Sequence, residues 1–109
     1  EIDDMRQTMP RFTGDNFQHN RKLVEELISI AHDSNCTPAQ LALAWVLAQD
    51  ADYVPIPGIK HVKFVEENAR TLECEISKEA LSRAGNLFAG KAVHGDRYAK
   101  SQMISLDVD

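Results

Sequence analysis

From Asn20 onward the apolar residues recur at the spacing of a helix. Leu23, Leu27, Ile30 and Ala31 form a stripe that Val24 and Ile28 widen, while Glu25 and Glu26 fall on the opposite face. This pattern predicts a helix over 19–34, with Asn35 as its stop. Thr37, Pro38, Ala39 and Gln40 then make a helix start: Thr37 can cap exposed amides, Pro38 fits the first turn and Gln40 can bond back to the cap. The helix they open is expected over 38–49. Its stretch LALAWVLA, residues 41–48, is apolar on every face, which predicts burial among other elements with Trp45 in the core. Tyr53, Val54, Pro55, Ile56, Pro57 and Gly58 are β-prone and stopped by Pro-Gly, so they predict one buried strand over 53–57, irregular at Pro55 where a ladder donor is missing. Val62, Val65, Ala69 and Leu72 predict a third helix over 61–72. Ser77 as a cap, with Glu79 in the following turn, opens a fourth over 78–89 with Leu81, Ala84, Leu87 and Phe88 on its apolar face. Residues 1–18 show no sustained period and are expected as a loop, and residues 90–109 as an irregular tail.

A single strand cannot satisfy its own backbone amides and carbonyls, so it calls for neighbours from outside this chain. Glu1 stands where an initiator Met would be expected, and the chain is 109 residues long. Both features lead us to expect a piece of a longer protein.

Composition adds exclusions. With 43% hydrophobic and 27% charged residues the chain has the make-up of an ordinary globular protein. No apolar run approaches the ~20 residues needed to cross a bilayer and no signal-peptide pattern opens the chain, so a cytoplasmic protein with no membrane partner is expected. A net charge of −5, from 17 acidic against 12 basic residues, argues against a nucleic-acid partner. Cys36 and Cys74 lack CxxC spacing and are expected as reduced packing residues; His19 and His94 have no ligand partners at metal spacing, so no metal is expected. His32 is expected at a helix end on the surface.

The segment that carries candidate chemistry runs from Ile56 to Asn68. A strand's carboxyl end, a glycine turn and a helix start form a rim where free helix amides attract anions, and Lys60, His61 and Lys63 add positive charge there in an otherwise acidic chain. A phosphate-bearing ligand is the physical suggestion. With PRFTGDNF (10–17), TPAQLALAWVLAQ (37–49), VPIPG (54–58), EENA (66–69) and GDRY (95–98), in that order and spacing, the chain resembles the aldo-keto reductase family, specifically its bacterial and plant members with an IPGTKR…EEN signature.

The resemblance implies the C-terminal part of a (β/α)8 barrel, an α/β fold that typically needs roughly 250 residues, with 53–56 as its eighth strand. It also implies an NADP(H)-dependent enzyme that reduces aldehydes and ketones, its partners being a nicotinamide cofactor and a small carbonyl substrate. In that pattern the loop and helix after the strand hold the adenosine end of the cofactor. Pro57, Gly58 and Ile59 supply the turn, Lys60 and His61 match a Lys-Arg pair near the 2′-phosphate, and Glu67 and Asn68 match a pair that bonds the adenine edge. Two positions depart from it. Ile59 replaces a Thr or Ser hydroxyl, and Phe64 replaces an Arg that pairs with the phosphate; Phe64 can stack on adenine but cannot neutralise charge. Reduced preference for NADP(H) over NAD(H) is therefore expected. The family's catalytic Tyr, Lys, His and Asp belong to earlier strands, so no catalytic residue is expected here and the isolated chain is expected to be inactive. Arg97 and Tyr98 are expected to anchor the tail.

Two other functions fit the same residues. One is a stand-alone helical interaction module in which LALAWVLA forms the binding face. The other is a cofactor-binding relative that serves regulation, as some family members do alongside ion channels.

Overall fold

The computed structural model describes residues 4–105, and every regular element among them is helical. Residues 1–3 of the expected opening loop and 106–109 of the expected tail lie outside the described residues. Four α-helices follow in order: α1 over Gly14–Asp33, α2 over Pro38–Leu47, α3 over Val62–Ala69 and α4 over Lys78–Leu87. Short 3-10 helices occupy Met5–Thr8, Pro10–Phe12, Arg70–Glu73 and Lys100–Ser105.

The expectation of a (β/α)8 barrel piece with one barrel strand is overturned. Among the described residues there is no strand, and residues 53–59 form no regular element. A strand exists only through ladder bonds to a neighbour. After the turn in which the Tyr53 amide donates to Asp50 O (3.2 Å), residues 54–60 make no backbone hydrogen bond among the described residues. Pro55 and Pro57 could not donate in any arrangement. The segment was expected to be buried, yet Val54 is 79% exposed and Ile56 93%.

The helix boundaries follow local chemistry. α1 ends in a left-handed residue, Asn35 (φ 54°), with the amides of Asn35 and Cys36 donating to His32 O (3.1 Å) and Ala31 O (3.0 Å). This is the crossed pair of bonds that closes a helix when Asn or Gly follows it. α2 opens with a reciprocal capping box: Gln40 N donates to Thr37 Oγ1 (3.2 Å) and Thr37 N to Gln40 Oε1 (2.9 Å). Ser77 caps α4 by accepting from Ala80 N at 3.1 Å. At the other end of the chain, α1 starts at Gly14 within residues expected as loop, where polar side chains leave no apolar period to read and Asp15 favours the helix's positive end.

The chain divides into two compact units. Residues 26–87 form one. Its core is Ile30, Ala31, Leu41, Ala80 and Ala84, bordered by Leu27, Cys36, Ile76, Leu81 and Leu87. Three of the five buried side chains are alanine-sized or close to it, and only Leu41 is both large and fully enclosed. Since a fully buried Leu contributes roughly 1.5–3 kcal/mol and an Ala far less, this is a thin core. Trp45, expected inside it, is 37% exposed. Its indole lies against α4, where a Cβ on Gly85 would come within 2.6 Å of Trp45 Nε1, so only glycine leaves room for the ring. The all-round apolar character of α2 is therefore only partly covered within the unit.

The described residues up to 25 and from 88 onward form the other unit. Polar bonds tie its two stretches together. Asn20 Nδ2 donates to Arg11 O (3.0 Å) and His94 O (2.8 Å), while His94 N donates to Asn20 Oδ1 (2.8 Å). Arg11 Nε donates to Gly95 O at 3.1 Å. Gly95 sits at φ 93° with Pro10, Arg11 and Asn16 atoms within 3.0 Å of where a Cβ would stand, so this contact requires glycine. The His19 and His94 rings stack at 3.4 Å, and His19 Nε2 lies 2.7 Å from Ala92 O. Arg97 covers the ring of its neighbour Tyr98 at 5.4 Å.

Candidate functional site

The residues singled out for ligand binding occupy the irregular segment and the helix after it. Pro57, Gly58, Ile59, Lys60 and His61 are all exposed; Phe64, Glu67 and Asn68, on α3, are half-buried. His61 stands at the N-cap of α3 but its side chain does not cap the helix; His61 O accepts from Phe64 N at 3.0 Å. The first amides of α3 thus point outward without a capping side chain, which leaves a small positive end to the helix.

Two of the expected basic residues come together around Phe64. The His61 ring lies 5.6 Å from the Phe64 ring at 49°, and Lys63 Nζ stands 5.1 Å over it. A cation over a ring at the surface of the fold contributes about 0.5–1 kcal/mol, enough to bias the position of Lys63 and no more. Glu67 is held through its backbone: Gln40 Nε2 donates to Glu67 O at 2.8 Å, fastening α3 to α2. The side chains of Glu67 and Asn68 make no hydrogen bond to the turn residues 57–61 among the described residues.

Behind this surface lies a polar junction that no sequence motif marks. The Gln40 side chain is buried and its two ends are both used, the oxygen by Thr37 N and the nitrogen by Glu67 O. Cys74 Sγ approaches the same oxygen at 3.6 Å and donates to Arg70 O at 3.4 Å. Cys36, next to Thr37, packs on the core and places its Sγ 3.6 Å from Ala31 O. Burial pushes the Cys36 thiol above its ordinary value, and the nearby Cys74 sulfur adds to the effect. Gln40 and the convergence of the two cysteines were missed because their partners lie far away in sequence.

The expected role of this chain as a piece of a carbonyl-reducing barrel is corrected by the same observations. The described residues contain no strand from which such a rim could project, no buried catalytic side chain, and no group of three or more His, Cys, Asp or Glu able to hold a metal ion. Their regular elements are all helical and leave apolar positions exposed, which fits the interaction module better. No helix among the described residues is long and apolar enough to cross a membrane.

A sequence model of the aldo/keto reductase family matches residues 1–87. The aldo-keto reductase str7 of Strobilurus tenacellus is 35% identical over 107 residues, covering 98% of this chain and 32% of that protein. The aldo-keto reductase yakc [NADP(+)] of Schizosaccharomyces pombe is 41% identical over 95 residues, covering 87% of this chain and 28% of that protein. The chain spans about a third of the length of these relatives. On this match the chain belongs to the aldo/keto reductase family.

Proposed function

We propose that this chain acts as a helical protein-interaction module, without catalysis of its own, whose binding surface is the irregular apolar segment 53–59. The observation that carries this is the exposure of Val54, Ile56 and Ile59, at 79%, 93% and 58%, on a backbone with no partner among the described residues. Residues before proline are held to extended conformations, so Val54 and Ile56 are set in the shape of a strand before any partner arrives. In such a segment successive residues face alternate ways. The amides of Val54, Ile56 and Gly58 can then donate to one side, while Pro55 and Pro57 offer only carbonyls to the other. The fitting partner is a polypeptide with an open sheet edge lined by apolar side chains, joined by strand addition.

The test supplies, as a separate polypeptide, the part of the Schizosaccharomyces pombe relative that this chain does not match. A one-to-one complex with slowed amide exchange at Val54 and Ile56 is expected. Absence of a complex, or a complex in which those amides exchange as fast as before, refutes the proposal.

The cations around Phe64 favour a second binding reading. The turn Pro57, Gly58 and Ile59 with Lys60 and His61 takes the phosphates of an adenine nucleotide such as NADP(H), Phe64 lies against the adenine, and Glu67 and Asn68 face its edge. Family membership and the uncapped start of α3 support this assignment. Ile59 and Phe64 supply neither a hydroxyl nor a guanidinium, so NADP(H) is preferred over NAD(H) less than an Arg at 64 would allow. Calorimetric titration of Phe64→Arg with NADPH and NADH should raise the affinity ratio toward NADPH. An unchanged ratio, or no nucleotide binding by either form, counts against the assignment.

A further inference from the structure

We propose that Cys36 and Cys74 are a redox pair, forming a reversible intramolecular disulfide when the chain meets a low-molecular-weight disulfide such as oxidised glutathione. Both cysteines are free. The geometry that joins them runs through Gln40. Its Oε1 accepts from Thr37 N at 2.9 Å and lies 3.6 Å from Cys74 Sγ, and Cys36 is bonded directly to Thr37. Standard bond lengths then hold the Cα of Cys36 within about 9 Å of the Cys74 sulfur even in the least favourable direction. The smaller, second contribution of the Cys74 sulfur to the raised Cys36 thiol agrees with closeness. Neither cysteine is locked inside a helix. Cys36 follows the left-handed stop of α1, and Cys74 follows the 3-10 helix Arg70–Glu73, so both backbones can adjust to the spacing a disulfide needs.

The chemistry balances as two exchanges. The thiolate of one cysteine attacks a sulfur of oxidised glutathione, giving a mixed disulfide and one glutathione thiolate, which takes up a proton. The second cysteine's thiolate then attacks the protein sulfur of that mixed disulfide and expels the second glutathione. The protein loses two hydrogens and two electrons, and the oxidised glutathione gains them as two thiols. The Cys74 thiol hydrogen is lost, while the bonds from Gln40 to Thr37 and Glu67 need no change. The bridge ties the α1–α2 corner to the turn that follows α3.

The experiment treats the folded chain with oxidised glutathione, quenches with acid, and maps peptides by mass spectrometry. A peptide containing Cys36 joined to one containing Cys74, with the intact mass lowered by two hydrogens, is expected, and it should form at least about tenfold faster in native buffer than in concentrated guanidinium, because folding raises the effective concentration of one thiol near the other. Cys36→Ser and Cys74→Ser should stop at the mixed disulfide. Glutathione retained on both cysteines without closure, cross-linked dimers as the main product, or closure no faster in the folded chain than in denaturant would each overturn the proposal.

Discussion

Replacing Gln40 by Met keeps the volume of a buried side chain and removes its hydrogen bonds, which makes it a direct measure of what fastens α3 to α2. Two losses follow. Thr37 N–H loses its partner in the capping box, where such bonds contribute about 1 kcal/mol. Glu67 O, among the last carbonyls of α3 and so short of helical partners, loses its donor at 2.8 Å, and leaving a carbonyl unpaired in this part-buried place costs about 1–3 kcal/mol. Together Gln40→Met should cost about 2–4 kcal/mol, whereas Thr37→Ala, which touches only the cap, should cost about 1 kcal/mol. Urea unfolding followed by far-ultraviolet circular dichroism compares the two, and amide exchange over residues 64–69 reports whether α3 loosens in the Gln40 variant alone. If Gln40→Met costs no more than Thr37→Ala and leaves exchange in α3 unchanged, the Glu67 bond is not what fastens the helix.

Gly95→Ala should cost about 1–3 kcal/mol, because the new Cβ meets backbone atoms of Pro10 and Arg11 at 3.0 Å in a left-handed conformation. Gly90→Ala, at φ 61° with nothing within 4 Å, should cost less; faster exchange of the His94 amide in the first variant and not the second is the check. The Cys36 thiol ionises less readily in the folded chain than its ordinary value of 9.0, so its share of stability is complete below that pH and is lost as pH rises through the higher folded value. Urea midpoints should therefore fall further between roughly pH 8 and roughly pH 10 for the wild-type chain than for Cys36→Ser. Equal slopes would remove burial of the thiol as the cause.

The parts of the structure that were legible in the sequence are those whose causes lie within a few residues. The Thr37–Gln40 capping box, the stop at Asn35 and the Ser77 cap each depend on a side chain meeting a backbone group one turn away, and each is present. The β-prone residues of segment 53–57 predict a strand, but propensity describes a residue and pairing requires a second stretch of chain. Trp45 was placed in the core on the same kind of ground: an apolar helix predicts a cover, and α4 with Gly85 supplies only part of it. At the candidate site His61, Lys63 and Phe64 form a cluster in sequence and are neighbours in space. Gln40 with Glu67, and Cys36 with Cys74, were not visible, because nothing in a local pattern tells which distant residue will stand opposite.

The division into units has a consequence for how the molecule is made. The unit over residues 26–87 is continuous, so a nascent chain can complete it from neighbouring segments as soon as α4 has been synthesised. The clasp of Asn20 with His94 and of Arg11 with Gly95 must wait until the whole intervening stretch exists, and its closure carries the larger entropic cost of a long loop. During synthesis the first turns of α1 therefore spend their time without the partners that later hold them, and that interval is when a chaperone or a protease would find them.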